Sequence, residues 1–202
     1  LGGNRVDPEV AAAVAKAAAR FTELGAHVEA VAIDWPDTAD LIHFMWSAHE
    51  VGNYAPYLAE WRDQMDPGLV ACIEDAQRHS AADYVQRRAE KQAFNRRVAD
   101  FFVEYDLLLT PTTSVTALPV GRLNPPDWPQ HDWNWLAWAS FTYPFNFSGN
   151  PAASVPIGFD KTGLPIGLQV VGKRFADLTV LQAAAAYEAA HPWADTRPPE
   201  IT

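Results

Sequence analysis

The sequence predicts an α/β fold, with helices layered around a mixed sheet, and three observations predict it. Segments with a helical apolar period alternate with short apolar runs of strand composition. Two of those runs, "AASVPIG" and "IGLQVVG", are joined by a turn at "DKTG", too short for a crossover, so they pair antiparallel. The 202 residues, 49% of them hydrophobic, are enough to bury a core.

Asp7 before Pro8 is an N-cap with proline at the first helical position. Val10, Val14, Ala17, Phe21 and Leu24 then share one face until Gly25 closes the helix. The short β-branched run "AHVEAVAI" predicts a strand. A helix is expected from Ala39 to Trp61, with Leu41, Ile42, Met45 and Trp46 on its buried side. Asp66 and Pro67 repeat the cap signature and start a short helix through Ile73. Ser80 with Asp83 opens a longer one ending near Tyr105. "DLLLT" is a compact strand bounded by Pro111.

Between Pro111 and Trp138 five prolines and four tryptophans replace any regular pattern. Such a composition predicts a long structured loop that covers or lines something. A short helix should then run into "AASVPIG", and the second strand of the pair into a last helix capped by Asp177 and extending through Tyr187.

Composition excludes several function classes. A net charge of -10 opposes nucleic acid and acidic membranes over most of the surface. The run of Arg78, Arg87, Arg88, Lys91, Arg96 and Arg97 is interleaved with Asp83, Glu90 and Asp100, which reads as ion pairs on a solvated helix face. No apolar run reaches membrane-spanning length. The single cysteine, Cys72, leaves no internal disulfide and fits a reducing, cytoplasmic compartment. A chain opening at Leu1 without a methionine reads as processed or truncated at its start.

The six histidines form no H-x-x-x-H pair, so no metal site and no cofactor are expected. "GFDKTG" lacks the lysine and hydroxyl directly after the second glycine that a phosphate loop requires, and Asp160 to Gly163 reads as a hairpin turn. A serine nucleophile needs a base or lysine held against it. Ser148 and Ser154 are the candidates, but neither lies in G-x-S-x-G, and the four lysines fall on exposed helices or beside turns. No catalytic residue is therefore assigned.

"DLLLTPTTSVTALPVG", followed by "TYPFNFSGNPAASVPIGFDKTGLPIGLQVVGKRFADLTVLQAAAAYE", resembles the C-terminal half of amidase signature enzymes. The family pattern of T-P-T, T-x-P-x-N-x-x-G-x-P-A-x-S-x-P-x-G and G-L-P-x-G-L-Q is matched in register from Thr110 to Gln169, with Tyr187 and Glu188 ending the last helix. The resemblance implies the C-terminal part of an α/β/α fold with a mixed sheet, occupying residues 1–202 as a portion of one domain. It also implies amide hydrolysis by a Ser-cisSer-Lys triad in an N-terminal half that holds a Gly-Gly-Ser-Ser run, absent from this sequence. The expected partners are that half and a small amide, with a homodimer as a further possibility and neither nucleic acid nor membrane.

Trp138, Phe141, Thr142 and Phe145 are the substrate-binding positions that the resemblance suggests, with Thr142 and Phe145 on the acyl side of the pocket, although such aromatics also pack cores. A glutamine-using, tRNA-linked amidotransferase subunit would carry an acidic residue where Ala139 stands and an arginine within "GLVACIED"; both are missing, which favours an apolar or aromatic amide. A non-catalytic binding or scaffold module is the other alternative. Loss of the rest of the sheet predicts an unpaired edge near "DLLLT" or "GLQVV".

Overall fold

The computed structural model describes residues 4–196. Helix α1 (Pro8–Glu23) starts as expected, with the Asp7 carboxylate accepting from the Glu9 N–H at 2.7 Å. Val10, Ala17 and Phe21 are buried, but Leu24 is exposed because it lies past the last turn. Residues 26–38 then form no strand. The β-branched composition is right, yet no neighbouring backbone among the described residues completes a ladder, and propensity without a partner makes no strand.

The second helical segment is broken. α2 runs over Ala39–Tyr54, and Pro56, which has no N–H to donate, tightens the chain into a 3-10 turn before α3 (Leu58–Trp61). Leu41, Ile42 and Phe44 are buried, whereas Trp46 is 36% exposed and stands at the edge of the expected face. α4 (Pro67–Ala76) is capped by Asp66, whose carboxylate accepts from Leu69 N–H. α5 (Ala81–Glu104) opens with a complete capping box between Ser80 and Asp83.

Three strands follow: β1 (Leu107–Pro111), β2 (Ala152–Phe159) and β3 (Pro165–Gly172), with α6 (Tyr143–Ser148) before β2 and α7 (Asp177–Ala190) after β3. Their order is β1-β3-β2 and both pairings are antiparallel. "GLQVV" is therefore the central strand, paired on both sides, and the free edges belong to β1 and β2. A register shift between Pro156 and Gly158 and the missing N–H of Pro156 interrupt the β2 edge. The cap of α7 also differs from expectation: Ala176 takes the N-cap position without a side-chain bond, and Asp177 lies in the first turn, where its charge meets the helix dipole.

The pleat gives the sheet two distinct faces. Val155, Leu168 and Val170 pack beneath α1 and α7 with Phe21, Val180 and Tyr187. On the opposite face Leu108 and Val171 join Trp35, Phe94, Val98, Phe102, Phe145 and Phe147 under α2, α5 and α6. Within these residues the chain is thus an α/β/α sandwich. The basic stripe of α5 is a solvated and packed face, where Arg87 pairs with Glu90 and Lys91 lies 5.1 Å from the Phe147 ring centre; Arg78 lies before α5, in the turn that follows α4, and pairs with Asp75. Cys72 is buried, and burial, then the Glu50 carboxylate, pushes its thiol up to about 12, so it stays protonated and unreactive.

Candidate functional site

Hydrogen bonds fix the course of the Pro/Trp-rich loop over the second face. Ser114 N–H donates to the Trp138 carbonyl at 2.8 Å, the Ser114 and Ser140 hydroxyls pair at 3.0 Å, and Asn124 donates to the Asn134 carbonyl at 3.0 Å. Trp138 donates its indole N–H to the Leu123 carbonyl at 3.0 Å and packs on Trp135, which meets Trp46 edge to face. His43 fastens the same loop from α2: Asn134 donates to Nδ1, which leaves the ring proton on Nε2 facing Asp75. Burial, despite the nearby Asp40 carboxylate and helped by Arg78, holds the His43 pKa below its ordinary value.

The four expected site residues fall into two pairs. Trp138 and Thr142 are half-buried, whereas Phe141 is buried and Phe145, 2% exposed, meets Trp35 edge to face within the core. The first pair offers side-chain surface and the second holds it from behind. Thr142 donates its hydroxyl to the Thr112 carbonyl at 2.6 Å, so only its lone pairs remain for a ligand. The helix they begin, α6, ends at Gly149 with φ 70, a left-handed cap that costs glycine little.

Behind this segment lies a polar stripe on the sheet that the site expectation did not include. Thr110, Gln169 and Ser154 stand opposite one another in register, so they share the face under α6. Gln169 donates from Nε2 to Thr110 Oγ1 at 2.9 Å and to the Phe141 carbonyl at 2.7 Å. Thr112 and Ser154 hydroxyls are 2.7 Å apart. A Cβ on Gly167 would come within 2.6 Å of Ser154 Oγ and 2.9 Å of Thr112 Oγ1, so the close approach of these chains needs glycine. Ala152, Ser154 and Pro156 leave this face of β2 exposed. Thr112, Ser154 and Gln169 all lie within the motif run, but their joint position depends on pairing residues far apart in the chain.

Among the described residues the arrangement does not bring together the parts of an activated nucleophile. Ser148 is buried and donates to the Phe145 carbonyl. Among the described residues no lysine or histidine is hydrogen-bonded to Ser148, Ser154, Thr112 or Thr142; Lys161 pairs with Glu9 at 2.8 Å. The "DKTG" turn is the expected hairpin: Asp160 accepts from Thr162, Leu164 and Thr116, which hold its carboxyl below the usual carboxylate range. Among the described residues there is no group of three His, Cys, Asp or Glu side chains placed to hold a metal, and no helix long and apolar enough to cross a membrane. An open groove of about 470 Å³ lies elsewhere, between Val31 to Trp35 and the α5 residues Arg97, Asp100 and Phe101, with Tyr105 just beyond them.

Known proteins resemble this chain in sequence and fold. An acylamidase from Rhodococcus erythropolis is 34% identical over 98% of the chain, which covers 42% of that protein. A glutamyl-tRNA(Gln) amidotransferase subunit from Lacticaseibacillus casei is 30% identical over 93% of the chain and 43% of its own length. Among solved structures, a bacterial aryl acylamidase of the amidase signature enzymes superposes with a TM-score of 0.80 at 30% identity, over 96% of this chain and 44% of that one. The chain therefore spans less than half the length of these relatives. The family model described as Amidase matches residues 1–181, and the chain belongs to the amidase signature family.

Proposed function

We propose that this chain forms the closing strands and the acyl-side wall of an amide hydrolase whose serine, second serine and lysine come from a preceding half of the same protein. The observation that carries this reading is the uncovered polar face of β2 beside Thr142. Ser154 and Thr112 are presented there without a base, and the Thr142 hydroxyl bonds the Thr112 carbonyl. A surface of that kind suits a partner that brings its own nucleophile. Support comes also from the relatives' greater length and from the β1 edge, which has no second strand neighbour among the described residues.

The substrate is an amide with an apolar or aromatic acyl group, which Trp138 contacts, while the Thr142 hydroxyl, its own proton given to the Thr112 carbonyl, accepts from the amide N–H. Acylamidase and aryl acylamidase relatives support this class. The amidotransferase relative supports a second reading, glutamine as ammonia donor. Against it stands Ala139, buried at the position where a charge would be needed to hold the α-ammonium group.

The test is hydrolysis of a panel of aryl amides, alkyl amides and glutamine by the full-length protein, with residues 1–202 alone as control. Turnover of aryl or alkyl amides by the full-length protein, and none by the control, is expected. Ammonia release from glutamine alone, or full activity in the control, overturns the proposal.

A further inference from the structure

Gln169 is the one member of the motif run whose side chain reaches from the central strand into the substrate segment, and the reading above gives it no role. It is 3% exposed, and both of its donated bonds are buried. One holds Thr110 Oγ1, which in turn donates to the Pro111 carbonyl at 2.9 Å. The other holds the Phe141 carbonyl, which belongs to the peptide that joins Phe141 to Thr142.

We infer that Gln169 is a positioning residue that sets the Phe141–Thr142 peptide, and through it the acyl-side wall; this rests on the amide-hydrolase reading. The geometry leaves little slack. The N–H of that peptide is spent within the turn, on the Ala139 carbonyl at 2.8 Å, and the Thr142 hydroxyl on the Thr112 carbonyl. The first bond is local and moves with the turn. Gln169 therefore supplies the one described hydrogen bond that ties this peptide to the sheet. A rigid strand provides that anchor, while other bonds that hold the segment from outside, to Ser114, Leu123 and the Thr112 carbonyl, run to the loop that follows β1. Support of this kind decides whether a contact surface sits at bonding distance or about an ångström away, a difference of up to about 100-fold in rate.

The test uses the full-length protein and two variants. Gln169→Met keeps the length of the side chain and deletes both donors. Gln169→Glu keeps one donor while its carboxyl is protonated and loses it on ionisation, so it acts as a pH-dependent rescue. Two measurements are made. In amide hydrogen exchange, Gln169→Met should speed exchange at Thr142 and Phe145 by roughly tenfold, with the β3 amides Leu168 and Val170 unchanged. Gln169→Glu, which keeps one of the two donors, should exchange more slowly than the Met variant at low pH and match it once ionised, each rate taken relative to the intrinsic rate at that pH. In hydrolysis, the preference among amides that differ in the acyl group should shift by about tenfold, and the preference among leaving amines should not.

Unchanged exchange at Thr142 and Phe145 overturns the inference, as does altered exchange with unchanged acyl preference. If wild type hydrolyses no amide, the functional reading fails and the exchange result still decides what Gln169 holds. Should Gln169→Met not fold, the pH dependence of exchange in Gln169→Glu carries the decision, and its absence overturns the inference.

Discussion

The two faces of the same three strands are built on different chemistry. Under α1 and α7 the face is wholly apolar, and Leu168 and Val170 are fully buried in it. Under α6 the apolar patch of Leu108 and Val171 gives way along the strand to Thr110, Gln169 and Ser154. An apolar face tolerates small shifts at modest cost, because dispersion and burial have no direction. A hydrogen-bonded face does not, since each bond fixes a distance and an angle. The difference assigns holding the fold to the first face and orienting the Trp138–Thr142 segment to the second.

The largest effect expected is from Leu168→Ala, which opens a cavity on the apolar face and should cost about 2–5 kcal/mol in chemical denaturation. A loss below about 1 kcal/mol would erase the contrast between the faces. Gly167→Ala strikes the polar face, where the new methyl overlaps Ser154 and Thr112; about 1–3 kcal/mol should be lost. Adding Ser154→Ala should restore part of it, because the closer of the two clashes disappears, and a double-mutant cycle reads the coupling.

A smaller effect concerns the turn that joins β2 to β3. The folded-state pKa of Asp160 is depressed by its hydrogen bonds, so its stabilisation is present above the unfolded value of about 3.9 and is lost as pH falls through the folded one. Wild type should therefore exceed Asp160→Asn in thermal stability at neutral pH, and the gap should close in acid. The smallest effect is expected at the solvated rim: Arg87→Ala, which removes an exposed pair with Glu90, should change stability by less than about 1 kcal/mol.

The elements with local signals are legible in the sequence. Caps at Asp7, Asp66 and Ser80, the hairpin turn and the apolar strands all follow from residues within a few positions of one another. Residues 26–38 depart from the strand their composition favours, because pairing depends on a backbone the segment does not find among the described residues. Pro56 is plain in the sequence, but whether a proline bends a helix or ends it depends on what packs around it. The surroundings of the expected site residues are only partly legible. Trp138 and Thr142 present half-buried side chains, but separating them from Phe141 and Phe145 needs burial, which a contiguous aromatic run does not disclose. The polar stripe is hidden for a related reason, since Thr110, Ser154 and Gln169 meet only through strand register.

That register also sets an order in time. β2 and β3 are joined by the tight turn at Asp160 to Leu164, so their ladder can close in about 1–10 μs, whereas β1 reaches β3 only across the whole Pro/Trp-rich loop. The hairpin is thus expected to form first and to serve as the template on which β1 docks. Mutations in the turn should then slow refolding, and those in β1 should mainly speed unfolding, a division that φ-value measurements would read directly. Because Gln169 lies on the hairpin and Thr110 on the late strand, their hydrogen bond would be among the last contacts to lock, and its closing would mark the moment at which the polar face acquires its shape.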